Sequence, residues 1–254
     1  MGKLLRFLFL FQHPLRALKD RLALIRAPLV EHPLRNGLTF WCRPGSSDLM
    51  SVWDIFTSQN HSHYFAHFRP KHGDLVIDIG ANIGVFSLQC AQAGAMVIAY
   101  EPMAETCRVL DTNVRANGYQ SSIQLHRAGI AHSSGPRKIH LGARGHSMAC
   151  SFYSSNLTTQ DEVEIETVSF LEAIAPHRRI DILKIDCEGA EFEFFRDLPK
   201  GSLSNVRSIV LEYHEVAPGF NLHSLRREME AQGYTVKHTP WKPGFGILYA
   251  WREA

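Results

Sequence analysis

The nine residues Val76–Gly84, VIDIGANIG, constrain this chain more than any others. A short apolar run leads into a loop with glycines at 80 and 84, and Val85 to Ala93 follows with helical composition. A strand that turns directly into a helix belongs to α/β folds, where such turns border the ligand crevice of a parallel sheet. Gly80 lets the chain reverse where a side chain would clash, and Gly84 lets the helix begin close to the sheet or a ligand. The free N–H groups at that helix start can meet a carboxylate or a phosphate.

The dinucleotide fingerprint G-x-G-x-x-G needs glycines at 80, 82 and 85, where this chain has Gly80, Asn82 and Val85. What remains, D-x-G-x-N-x-G over Asp78, Gly80, Ala81, Asn82 and Gly84, suits a ligand with a small carboxylate and an ammonium better than a pyrophosphate. Asp78 either attracts that ammonium or orders the loop. Glu101 ends the next apolar run, 17 residues after Gly84, where an acidic side chain can accept both hydroxyls of an adenosine ribose. Pro102 fixes the turn behind it.

From Asp74 the chain alternates strand and helix patterns, with strands expected at 75–79, 96–100, 123–126, 181–185 and 206–211. Residues 128–168 interrupt the alternation as a β-rich insertion, and Ser169 with Glu172 forms a capping-box pattern. Two last strands, 234–238 and 245–250, make a terminal hairpin around Pro240, Pro243 and Gly244. The expected fold is therefore α/β and doubly wound: a mostly parallel seven-stranded sheet with a C-terminal antiparallel hairpin and an N-terminal helical extension. The expected organisation is an extension over 1–36 and one domain over 37–254. Within the latter, 37–58 reads as a short hairpin followed by a lid.

Two segments, VIDIGANIGVFSLQCAQAGAMVIAYEP and DILKIDCEGAEFEFF, together resemble the FkbM family of class I S-adenosylmethionine-dependent methyltransferases. The resemblance covers roughly residues 37–250. It implies a Rossmann-like sheet, S-adenosyl-L-methionine as methyl donor, and O-methylation of a hydroxyl on a sugar, glycan or natural product. It assigns Asp78, Gly80, Asn82 and Gly84 to the methionine end, Glu101 to the ribose and the region of Gly129 to the adenine. Ser147–Tyr153 would border the acceptor. A nicotinamide-dependent oxidoreductase and a non-catalytic nucleoside-binding module are the competing readings; the missing glycines and the terminal hairpin weigh against the first.

Lys184, Asp186, Glu188 and Glu191 crowd the end of the fourth strand, which faces the ligand crevice in open α/β sheets. Removing a hydroxyl proton during methyl transfer calls for a carboxylate or imidazole within hydrogen-bond reach. Asp186 is the first candidate, and His214 and Glu188 follow. The alternative is that Asp186 and Glu188 cap a helix and that His214 is a satisfied loop histidine. Glu212, Glu215 and Asp186 could instead hold a divalent cation, but no metal ligand is assigned. His61, His63 and His67 are interleaved with aromatic residues and read as a packed lid rather than a zinc site.

Residues 1–35 hold seven Lys or Arg against Asp20 and Glu31, so the formal charge of +2 leaves the rest slightly acidic. That weighs against a body built to bind nucleic acid, which would spread basic residues over a face, and no nucleic-acid partner is expected. Five cysteines without a C-x-x-C pair fit a reducing, cytoplasmic compartment. Leu4–Phe11 is too short to span a bilayer. After Pro14, Leu15, Leu18, Leu22 and Ile25 fall at helical spacing among basic residues. Residues 3–26 therefore read as a basic amphipathic helix that packs on the domain or makes a peripheral membrane contact.

Overall fold

The structure is a computed structural model that describes residues 3–57, 62–141, 162–196, 198–215, 219 and 221–252. The N-terminal part comprises helices α1 (Lys3–Leu10) and α2 (Pro14–Arg21), strands β1 (Val30–Pro33) and β2 (Thr39–Cys42), and helix α3 (Asp48–Thr57). The alternating part runs β3 (Leu75–Ile79), α4 (Val85–Gln92), β4 (Met96–Tyr100), α5 (Ala104–Ala116) and β5 (Ile123–His126). Three strands follow, β6 (Gly129–Ala131), β7 (Gly135–His140) and β8 (Glu162–Ser169), and then α6 (Phe170–Ile174). The chain ends with β9 (Ile180–Ile185), α7 (Glu191–Phe195), β10 (Val206–His214), α8 (Leu222–Ala231), β11 (Thr235–Lys242) and β12 (Phe245–Trp251).

Seven strands form the main sheet in the order β11-β12-β10-β9-β3-β4-β5. β5, β4, β3, β9 and β10 run parallel, while β12 is antiparallel to both β10 and β11. The sheet is apolar on both faces, which is why its central strands read as unbroken apolar runs. Successive residues feed opposite layers: Val76, Val97, Ala99, Ile182 and Val210 pack with Phe86, Leu88 and Leu110 on one side. Ile77, Ile79, Ile98, Leu183 and Ile209 pack with Phe170, Phe194 and Met229 on the other. The doubly wound sheet with its terminal hairpin is as expected.

The β-rich insertion is a separate three-stranded sheet, with β8 parallel to β6 and antiparallel to β7. Both halves of the capping box form at α6, Glu172 N–H donating to Ser169 Oγ and Ser169 N–H to Glu172. Residues 142–161 lie outside the described residues, and Ser147–Tyr153 with them.

Several details differ from expectation. β10 extends to His214, held there by pairing with Phe245, so Glu212 and His214 sit within the strand. β11 runs on through Pro240 to Lys242 with a register shift after Pro240, where an edge strand tolerates the missing N–H. The N-terminal segment is two helices, since Pro14 begins a second one at its first turn. The boundary expected at residue 36 falls inside a hairpin, because β1 pairs with β2 from Val30↔Cys42 to Pro33↔Thr39. Phe7, Phe11, Leu34, Val52 and Trp53 belong to the same core as Phe86, so 1–36 and the expected lid are built into the domain.

Candidate active site

Asp78, one residue from the end of β3, has no solvent contact. It accepts a 2.6 Å hydrogen bond from Ser87 Oγ on α4, and Lys184 Nζ from β9 lies 3.1 Å from its other oxygen. These contacts tie Asp78 to α4 and β9. Lys184 also donates to the carbonyl of Gly80 at 2.7 Å, so one ammonium ties β9 to the turn. Burial works against that charge, but Asp78 and Asp186 outweigh it and hold the lysine pKa above its ordinary value.

Glycine is required at both turn positions. A Cβ on Gly80 would lie 1.8 Å from the carbonyl oxygen of Asp186, and one on Gly84 would lie 2.1 Å from a Leu110 methyl. Both have positive φ, 74° and 89°, and Asn82 between them is also left-handed at 51°. Asn113 on α5 braces the loop from behind. Its buried amide donates to the carbonyl of Ile83 and accepts from Trp41 N–H on β2.

Glu101 is buried directly after β4. One carboxylate oxygen accepts the Asn82 N–H at 3.0 Å and the other the Met103 N–H at 2.9 Å. Burial pushes this carboxyl up to about 7, against the opposing pull of the two N–H groups. Turn and acidic residue are thus one hydrogen-bonded unit.

A cavity opens between the turn and the insertion sheet. Of the expected site residues, Gly80, Glu101, Pro102, Gly129, Asp186 and Glu188 line it. Asp78, Ala81, Asn82, Gly84 and His214 are not in the lining; the first four shape the loop behind it. The sequence reading missed Ile130, Ile139 and Ile165, which form an apolar wall from β6, β7 and β8. Only their place in the insertion sheet brings Ile139 and Ile165 to the sheet crevice. Among the described residues no Lys or Arg lines the cavity, while Glu101, Asp186 and Glu188 do. A ligand with a flat apolar group and a cationic group matches this lining.

Beyond Asp186 lies a buried polar cluster. Asp186 follows β9 and stays partly exposed. Tyr64 OH, buried, is 2.7 Å from Glu212 Oε2 and 3.1 Å from Asp186 Oδ2, so its one proton is shared between two carboxylates. Lys184 Nζ stands 3.6 Å from the same Asp186 oxygen. His214 Nδ1 lies 3.0 Å from Glu191 Oε1, which also accepts the His214 backbone N–H. Its Nε2 lies 3.4 Å from Glu212 and 3.6 Å from Glu188. Burial opposes the imidazolium, but Glu191 and Glu188 outweigh it and hold the pKa well above the ordinary range. Burial also pushes the Glu188 carboxyl up to about 8, despite His214 beside it. Both shifts favour protonation, so a proton is held between His214 and Glu188.

Donor atoms of Asp186, Glu212 and His214 lie within 4.8 Å of one another, the spacing of a cation site. Lys184 already supplies positive charge there, and the Tyr64 hydroxyl bridges the two carboxylates. Glu215 turns away and accepts the Leu222 N–H at the start of α8. His67 stacks on Trp251 and meets Tyr249 edge-on, an aromatic packing role. The side chains of His61 and His63 lie outside the described residues.

The sequence pattern described as the methyltransferase FkbM domain matches residues 78–236. The chain is 26% identical over 234 residues to methyltransferase sdnD of Sordaria araneosa, covering 79% of this chain and 88% of that one. It is 24% identical over 196 residues to 31-O-demethyl-FK506 methyltransferase FkbM of Streptomyces tacrolimicus, covering 64% and 73%. A third relative, AMB antimetabolite synthetase AmbE of Pseudomonas aeruginosa, is 28% identical over 57% of this chain, which spans only 8% of its length. In three dimensions the chain resembles the crystal structure of methyltransferase FkbM from Methylobacillus flagellatus KT. The TM-score is 0.54 at 14% identity, over 80% of this chain and 53% of that one, a likeness of fold. With the Gly80–Glu101 unit, the cation-friendly cavity and a family match over most of the chain, this protein belongs to the FkbM family of S-adenosylmethionine-dependent methyltransferases.

Proposed function

We propose that this enzyme methylates a hydroxyl oxygen of a small-molecule or glycan acceptor. The observation that carries the reading is that one cavity is lined by Glu101 and Gly129 and also by Asp186. Bound S-adenosylmethionine supplies an already activated methyl group. Glu101 would take the ribose hydroxyls, the isoleucine wall the adenine, and the Gly80–Gly84 loop the methionine end. Asp186 would accept the proton of the acceptor hydroxyl as the new bond forms, with Lys184 keeping it ionised. Glu212, Tyr64 and His214 would hold Asp186 in position, and alignment with exclusion of water would supply most of the remaining acceleration. The name of the Streptomyces tacrolimicus relative, which specifies methylation at an oxygen, supports the same reading. Incubation with methyl-labelled cofactor and hydroxylated acceptors should give a base-stable methyl ether. Label found only on nitrogen, carbon or sulfur would overturn it.

Glu101 gives this reading a pH signature. Ribose hydroxyls donate, so they favour the ionised carboxylate, and binding releases the proton that Glu101 holds below about pH 7. Affinity for S-adenosylhomocysteine should be full above that pH and fall by up to about tenfold per unit below it. Calorimetry across this range on wild type and Glu101→Gln checks the point: the variant should show a flatter profile, and equal slopes would remove Glu101 from ribose binding.

A further inference from the structure

α2 faces the protein with the side that periodicity would turn outward. Its buried residues are Ala17 and Asp20. Asp20 Oδ2 lies 2.6 Å from His32 Nε2 on β1, and its other oxygen accepts the Gly45 N–H at 3.0 Å. Arg16 donates to the carbonyl of Glu31. These bonds fix the rotation of the helix, so Leu15, Leu18 and Leu22 point to solvent.

Leu8, Phe9 and Leu24 are exposed as well, and Phe9, Leu15, Leu22 and Leu24 are each more than half accessible. Elsewhere among the described residues only Met96 and Leu171 are large apolar side chains so exposed. Single exposed leucines are ordinary; their concentration in seventeen consecutive residues marks an interaction surface. Arg16, Lys19, Arg21 and Arg26 are exposed among them. Asp20 is the one acidic residue between 3 and 30, and it is buried against His32. The surface is thus apolar and cationic with no carboxylate of its own.

We propose that residues 8–26 dock this enzyme on an anionic lipid surface, with α2 in the headgroup plane and Leu15, Leu18 and Leu22 at the acyl boundary. A two-fold pairing of copies would place these basic residues against each other, which disfavours a second copy as the occupant. Lipid phosphates are complementary to the same charges, and leucines interleaved with Lys and Arg are the composition of interfacial helices. Among the described residues no helix is long and apolar enough to cross a membrane, so the contact is peripheral.

Flotation of the full chain with phosphatidylcholine vesicles, with and without phosphatidylglycerol, tests this. Binding should require the anionic lipid and weaken with salt, since each basic residue near such a surface contributes about fivefold. Lys19→Glu/Arg26→Glu and Leu15→Ser/Leu18→Ser/Leu22→Ser should each lower partition by more than about tenfold. Thermal midpoint and affinity for S-adenosylhomocysteine should be unchanged, because these side chains are exposed. No vesicle binding by the wild type, equal binding by all three proteins, or self-association abolished by the serine variant would overturn the proposal.

Discussion

Asp186→Asn should lower turnover by about two to four orders of magnitude while affinity for S-adenosylmethionine stays within a few-fold. Asparagine keeps the shape and can still meet Tyr64, and the carbonyl that approaches Gly80 belongs to the backbone, so the turn should stay intact. What is lost is the carboxylate proposed to accept the proton, which lines the cavity. Neither neighbour replaces it: burial pushes the Glu188 carboxyl up to about 8, and Glu191, 3.0 Å from the ring, favours the charged form of His214. Single-turnover rates with saturating cofactor, beside calorimetric affinities, separate the two effects. Unchanged turnover, or a loss confined to cofactor affinity, would remove Asp186 from proton transfer.

Lys184→Met should destabilise the protein by about 3–5 kcal/mol, the usual cost of stranding one partner of a buried ion pair. Asp78 would keep Ser87 but lose the cation 3.1 Å away, in a site without solvent. The carbonyl of Gly80 would lose its donor as well. Adding Asp78→Asn to that variant removes the stranded charge and should recover part of the loss, which a double-mutant cycle by urea denaturation reads directly. A single-variant loss below about 1 kcal/mol would show that the pair does not hold the turn.

The strands and the cofactor turn were legible in the sequence because their signals are local. An apolar run, glycines at 80 and 84 and an acid at 101 each state a backbone requirement at their own position. The reacting end was legible only in part. Asp186, Glu188 and His214 could be picked out by their places at strand ends, but the partners that set their charge could not. Tyr64 reaches Asp186 across 122 residues and Glu212 across 148. Glu191, visible as one of several acids, backs His214 only because α7 returns it beneath β10. Periodicity misjudged α2 for a related reason: His32 and the Gly45 N–H draw Asp20 inward, and one buried and one partly buried polar bond outweigh the leucine stripe. The isoleucine wall escaped notice because β-alternation does not reveal which ligand a face covers.

The most direct test of the central claim is calorimetric titration of the full chain with S-adenosylhomocysteine and, separately, with NAD. A cavity with Glu101, Asp186 and Glu188 and, among the described residues, no Lys or Arg in its lining should take S-adenosylhomocysteine and show no heat with NAD. Binding of NAD without S-adenosylhomocysteine would contradict it.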